Sequence, residues 1–410
     1  MNLISFIVPS RNNLKYLKQA YRSIRENSEH PHEICIADDA STDGTTEWVQ
    51  EIMKEDENVK LHINEGPGRL GHTILYDTLV YDYASHDRVM IFHADMYLCP
   101  NADEQIEKYL KPGIVVSLTR IEPPLHPDGP EKILMDLGIE PEEFQEEELM
   151  TWLSSSPEHT HSKVQPNKVT DGIFAPWCIM KDDFTRIHGH DPLFAPQSKE
   201  DSDIFNRFML AGYEFIQTWD GFVYHMTCRG SRFKDGAKRN PDGQVFMKGR
   251  ESDEWLEQNQ RSTRNFIRKW GTMVRHNELL KPDVWPKYDI GMIVNNCTYE
   301  QLYGLEPYCN QIYLDHDTFY QDYLNEEGKN SGYDLGPKLL TRDIKPFNDV
   351  LIEFDANELN QDNFYQIFLQ FPKILEESGE PDSDFILDIF KVKIKLLDNQ
   401  VDLLVDSVMK

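Results

Sequence analysis

The chain has 410 residues, more than one ordinary domain needs, and its 39% apolar and 11% aromatic content suffices for a sizeable core. With 42 basic and 71 acidic residues its formal charge is −29, so phosphate repulsion argues against a general binder of nucleic acid or anionic membrane. The six cysteines contain no CxxC pair, which excludes a cysteine zinc ribbon and a disulfide scaffold and suits a reducing compartment.

No apolar run approaches the ~18–20 residues of a membrane span. The apolar Leu3–Val8 lacks a basic leader and stops at Pro9, so it reads as a buried first strand rather than a signal peptide. The expectation is a soluble, cytoplasmic protein. Leu14, Leu17, Tyr21 and Ile24 then fall at helical spacing. A second strand, Glu33–Ala37, closes on Asp38-Asp39-Ala40-Ser41-Thr42-Asp43-Gly44, which is turn and helix-capping chemistry. A helix through Trp48, Val49 and Ile52 follows, then a strand at Val59–Ile63, a helix over Ile74–Tyr83 and a strand at Arg88–His93. This alternation implies a mostly parallel sheet with helices on its faces, whose ligands sit at the carboxyl ends of the strands.

From 121 to 170 the pattern breaks down, as an insertion with one or two short helices would make it. A helix is expected over Lys199–Ala211, short strands at Glu214–Thr218 and Phe222–Tyr224, a basic Gly-rich loop over 226–250, and a helix over Glu251–Arg268. Lys281–Pro286 is the linker candidate, with two prolines and no periodicity. It separates a first domain, 1–280, from a smaller α/β domain, 286–410, expected to end in an amphipathic helix through Ile386–Val405. That second domain has 10 basic and 24 acidic residues, about half the chain's excess negative charge.

Four polar groups stand out. Asp38-Asp39 ends a strand, where a helix cap is an equally good explanation. His93-Ala94-Asp95 follows the strand at Val89–Phe92. Glu200-Asp201 opens a helix, a position that the helix dipole alone favours for acids. His225 ends a short strand. Trp177 reads equally as core or as a sugar-stacking platform.

Taken together and in this order, these motifs resemble the family 2 glycosyltransferases and their relatives with the GT-A nucleotide-sugar fold. Ile4-Ser5-Phe6-Ile7-Val8-Pro9-Ser10-Arg11-Asn12-Asn13 looks like their first strand and nucleotide loop. Ile34-Cys35-Ile36-Ala37-Asp38-Asp39-Ala40-Ser41-Thr42-Asp43-Gly44-Thr45 is very close to their second motif. His93-Ala94-Asp95 stands in the place of their Asp-x-Asp metal motif, and Glu200-Asp201 where they keep the catalytic-base pair. The resemblance covers roughly residues 3–250 and says nothing of 286–410.

It implies a GT-A type (Rossmann-like) mixed, mostly parallel sheet and an inverting, metal-dependent transfer of sugar from a nucleotide sugar, a UDP-sugar first, to an acceptor hydroxyl. By that resemblance Asp95 and His225 hold Mn2+ or Mg2+, an oxygen and nitrogen donor set that suits manganese. Asp201 is the base, with Glu200 beside it. Pro9, Arg11, Asp38, Asp39, Arg69 and His93 serve the donor, and Arg229 and Arg232 its diphosphate. His93 departs from the family's first Asp and leaves the usual ribose contact open. Residues 286–410 are expected to be accessory. A sugar nucleotidyltransferase is the enzymatic rival, but Pro9–Asn13 is no Gly-rich, Lys-bearing phosphate loop. A non-catalytic nucleotide-sugar or glycan binder is the other alternative, favoured only by His93.

Overall fold

The run Ile4–Ser10 is apolar at nearly every position because, as strand β1, it is buried on both faces. In the computed structural model, which describes residues 3–155, 161–227, 238–239, 241, 245–246 and 251–409, β1 lies parallel to β2 (His32–Asp39) and to β4 (Arg88–Ile91). Between them run α1 (Leu14–Asn27), α2 (Thr45–Ile52), β3 (Val59–Asn64) and α3 (His72–Thr78). Leu17, Ala20 and Ile24 of α1 pack on Ile4, Phe6, Val8 and Ile36, the helical repeat meeting the sheet's apolar face.

Past β4 come β5 (Met96–Leu98), α4 (Ala102–Tyr109) and β6 (Ile114–Glu122), elements absent from the reading above. The insertion holds β7 (Lys132–Leu134) and α5 (Glu146–Ser154), and is followed by β8 (Val169–Thr170), β9 (Trp177–Met180) and α6 (Lys181–Arg186). Then α7 (Glu200–Leu210) leads into β10 (Glu214–His225). The two strands expected there are one, with a register shift between Thr218 and Phe222. The sheet order is β3-β2-β1-β4-β9-β6-β10-β5, with β7 on β6 and β8 on β10. β9 is antiparallel to both β4 and β6, which leaves those two running the same way. The carboxyl ends of β1, β2, β4, β6 and β10 therefore share one edge. This is a mixed sheet flanked by helices, as expected. Within the basic loop, β11 (Lys238–Arg239) pairs β12 (Val245–Phe246).

The chain divides into two compact units, residues 1–258 with 276–282, and residues 259–275 with 283–410. Helix α8 (Asp253–Trp270) contributes most of its length to the second unit, where Arg264 and Arg268 are buried against Glu306 and Glu327. The second unit's sheet has β13 (Ile290–Asn295), β14 (Gln311–Leu314), β15 (Leu339–Thr341) and β16 (Val350–Asp355), all parallel. Helices α9 (Tyr299–Leu305), α10 (Tyr320–Glu326), α11 (Gln361–Gln366) and α12 (Phe371–Ser378) connect or follow these strands.

The expected C-terminal helix is corrected. Ser383–Leu387 and Phe390–Ile394 form an antiparallel hairpin, β17 and β18, and only Val401–Met409 is helical, α13. Phe390, Val392 and Ile394 are buried and alternate with exposed lysines, a period of two that a helix cannot satisfy. Among the described residues no helix is long and apolar enough to cross a membrane.

Candidate functional site

At the shared strand edge of the first unit lies a cavity of about 470 Å3. Its walls come from residues at or just past the carboxyl ends of the strands: Pro9 and Arg11, Asp39, His93 and Asp95, Glu122, and His225. Arg69, Glu200 and Asp201 also line it. Every one of its lining residues belongs to the first unit.

The two neighbouring aspartates at the end of β2 part ways, because successive side chains of a strand point to opposite faces. Asp38 is corrected from a donor contact to a turn residue. Its carboxylate accepts from the Ser41 N–H at 3.1 Å and from the Thr46 hydroxyl, and it does not line the cavity. Asp39 does line it. Its oxygens accept from the backbone N–H groups of Leu70 (2.8 Å) and Gly71 (2.9 Å) and from Asn64 Nδ2 (2.7 Å). A carboxylate offers about four lone-pair sites, so one remains for a ligand.

Gly71 is required there. It has φ +81°, and a Cβ would stand 2.0 Å from the Pro196 carbonyl oxygen. Asp39→Asn puts an NH2 where one of two backbone donors now finds an oxygen. The expected loss is about 1–3 kcal/mol, the cost of an unsatisfied buried donor. Differential scanning calorimetry should show it as a lowered transition for the first unit.

Beyond the end of β4, one ligand atom each from His93, Asp95 and His225 lie within 4.8 Å of one another. Atoms bound to one ion at about 2.0–2.2 Å stand about 3–4 Å apart, so the trio is near enough to serve a single cation once the side chains draw in. His93, expected from the sequence to serve the donor, thus joins the candidate ligands. Its ring packs edge-on against His225, with centroids 5.5 Å apart. Burial and the neighbouring His225 charge press its pKa down to about 3, which keeps its lone pair available. His225 goes the other way. Burial lowers its pKa, but Asp95 and Glu122 together outweigh that and raise it to about 9. Its Nδ1 is 2.9 Å from Glu122 Oε1 and its Nε2 is 3.4 Å from Asp95 Oδ1.

The opening of α7 supplies the acidic pair. Glu200 Oε1 lies 2.7 Å from His72 Nε2, a partner the sequence did not suggest. Burial disfavours the Glu200 charge, yet the attraction and hydrogen bond of His72 hold its pKa below the ordinary value. Its second oxygen, Oε2, is buried and has no hydrogen-bond partner among the described residues. Asp201 beside it is raised to about 6, first by burial and then by the Glu200 charge. Two adjacent carboxylates pushed apart in this way are the pattern of an acid–base site.

The structure therefore gathers Pro9, Arg11, Asp39, Arg69, His93, Asp95, Glu200, Asp201 and His225 around one cavity. Arg69 is held by Gln197 (2.9 Å) and Glu254 (3.3 Å). Trp177 is core rather than a stacking platform, fully buried against Phe184, Phe205 and Phe208. Arg229 and Arg232 lie outside the described residues. The reading above missed His72, Asn64, Arg120, Glu122 and Lys132.

Residues 5–185 match the family model described as glycosyl transferase family 2. A putative teichuronic acid biosynthesis glycosyltransferase of Bacillus subtilis (strain 168), TuaG, is 40% identical over 68 residues, 16% of this chain and 27% of that one. Among solved structures, GalNAc-T7 with UDP, GalNAc and Mn2+ aligns with a TM-score of 0.44 and 13% identity, over 65% of this chain and 48% of that one. A mannosyltransferase of Pyrobaculum calidifontis in complex with GDP-Man and Mn2+ aligns with a TM-score of 0.40 and 16% identity, over 64% and 61%. The chain thus spans about a quarter of the curated relative and about half of the first of these structures.

Proposed function

We propose that the chain, whose residues 5–185 match the family model of glycosyl transferase family 2, transfers a sugar from a nucleotide sugar to an acceptor hydroxyl, with inversion and with a divalent cation. One observation carries this reading. A carboxylate raised to about 6, Asp201, and a three-residue ligand cluster, His93, Asp95 and His225, line the same cavity.

In this proposal Asp39 and Arg11 receive the nucleobase, and Arg69 reaches the donor from the loop after β3. Asp95, His93 and His225 would hold Mn2+ or Mg2+, which supplies Lewis-acid neutralisation of the departing diphosphate. Asp201 takes the proton of the attacking hydroxyl, and Glu200 Oε2 orients that hydroxyl. His72 keeps Glu200 ionised and fixed. Asp201 acts as base rather than nucleophile, so one displacement inverts the anomeric carbon. On sequence grounds Arg229 and Arg232 take the diphosphate oxygens.

We assign the second unit an accessory role in acceptor presentation or assembly, since it contributes no residue to the cavity and its net charge is strongly acidic. The rival reading, a non-catalytic binder, rested on His93. That substitution now counts for the metal site, because an imidazole held neutral is itself a ligand.

The test is Asp95→Ala, with UDP as the first nucleotide tried. The variant is expected to keep its fold while losing at least ~10²-fold in Mn2+-dependent UDP affinity, because phosphate neutralisation is worth several kcal/mol. Calorimetric titration with and without Mn2+ measures this. Metal-dependent binding as tight as wild type would remove Asp95 from the metal site.

A further inference from the structure

Glu122, the last residue of β6, is almost fully enclosed, with 3% of its side chain exposed. It is not one of the three clustered ligand residues. Its Oε1 faces His225 Nδ1 at 2.9 Å, and its Oε2 accepts from Lys132 Nζ at 3.1 Å. Arg120 Nε stands 3.1 Å from Oε1. Glu131 closes the group, 3.0 Å from Arg120 Nη2 and 3.3 Å from Lys132 Nζ.

Burying a carboxylate this deeply costs several kcal/mol unless cations and hydrogen bonds offset it. Arg120 and Lys132 provide that offset, and Glu131 already pairs both of them. Glu122 and Glu131 together balance the two cations, and Glu122 does more. What it adds is the contact to His225. An imidazole that gives its Nδ1–H to a carboxylate must present Nε2 on the opposite side, and here Nε2 points at Asp95, 3.4 Å away.

We propose that Glu122 is a positioning residue for the metal site: it fixes the tautomer and ring orientation of His225 so that Nε2 faces the cation shared with His93 and Asp95. The inference rests on the metal reading above, and extends it to a residue outside the three clustered ligands. Carboxylates that hold a ligating imidazole in this way typically contribute 10–100-fold in metal affinity. The Arg120–Lys132–Glu131 group then has its own task, keeping Glu122 ionised in place.

Mn2+ binding to the nucleotide-free full-length chain, read from the free-ion electron paramagnetic resonance signal, tests the proposal. Glu122→Ala is expected to weaken Mn2+ by 10–100-fold in the wild-type background, and by less than about 2-fold when His225→Ala is already present. That loss of effect separates action through His225 from a general structural role, which would weaken both backgrounds alike. Equal weakening in both, or none in the wild type, overturns the proposal. Should Glu122→Ala not fold, Glu122→Gln keeps the volume and replaces the charge, and the same two-background comparison decides. If Asp95→Ala and His225→Ala themselves bind Mn2+ like wild type, the metal site is lost and the inference with it. If they lose Mn2+ while Glu122→Ala does not, the site stands and only the role of Glu122 falls.

Discussion

Asp201→Asn is expected to lower turnover at least ~10²-fold while leaving nucleotide-sugar affinity within a few-fold of wild type, the scale of a lost general base. Asn has nearly the same shape as Asp, so the cavity should keep its form. What disappears is the ability to take a proton. The wild-type rate should carry a matching signature in pH. Asp201 is raised to about 6 by burial and by the charge of Glu200, and in the proposed role of base it works only when ionised. Turnover should therefore fall as pH drops through about 6, rather than near the ordinary aspartate value of 3.8. In Asp201→Asn that acidic limb should vanish from the residual rate. Proton NMR of the wild-type product should show the inverted anomer. A retained anomer would sink the single displacement.

The same residue makes a stability prediction of opposite sign. A carboxyl whose pKa is higher in the folded state than in the unfolded chain binds its proton more tightly when folded. Its contribution to stability is greatest at low pH, and declines as pH rises from about 4 to about 6. Above that window the buried charge only costs. Asp201→Asn should accordingly melt higher than wild type at pH 8, and calorimetry can show it. A variant both less active and more stable is what a strained catalytic carboxylate yields on removal.

How much of this could be read from residues alone depends on distance along the chain. The alternation from β1 to β4 was legible because each element is a local run with its own period, and parallel neighbours follow one another closely. Met96–Leu98 is only three residues, too short to show a period. The antiparallel placing of Trp177–Met180 between β4 and β6 has no local sign, because its partners are set by the whole sheet. At the C-terminus Ile386, Ile389 and Phe390 suit helical spacing. Phe390 to Ile394 obey a period of two, and the sheet edge decided between them.

The site divides in the same way. Asp39, Asp95, Glu200, Asp201 and His225 were visible because each sits in a short motif. Their partners were not, since His72 is 128 residues from Glu200, and Glu122 is 103 from His225. Nothing local marks such a pair. Asp38 shows the converse, because adjacent residues in one motif look alike in sequence and only strand pleating separates turn from cavity.

The second large effect lies in the second unit, where a cluster of charges is buried. Glu306 is fully buried, and its oxygens lie within 2.6 Å of Arg268 Nη2, 2.5 Å of Lys338 Nζ and 2.8 Å of the Tyr323 hydroxyl. Arg264 and Arg268 reach the group from α8, and Glu327 supplies the other counter-charge, 2.6 Å from each. Separating the units near Trp285 would strip both arginines from Glu306 and Glu327, whereas a division at Gln258 keeps the cluster whole.

Removing one member of such a cluster leaves opposite charges buried and uncompensated. Glu306→Ala is thus expected to cost about 3–5 kcal/mol, against less than about 1 kcal/mol for an exposed pair such as Lys373–Glu376. The pH dependence follows from the direction of the shift. Burial opposes the Glu306 charge, but Lys338 and Arg268 more than offset it and hold the carboxyl down at about 2. Its contribution is therefore complete above the ordinary carboxylate pKa of 4.5, and is lost as pH falls from there towards 2. Hydrogen exchange read on peptides from 286–410 should show wild-type protection declining over that window. In Glu306→Ala protection should already be reduced at pH 7. Equal protection in the two proteins at pH 7 would mean that the arginines find other partners.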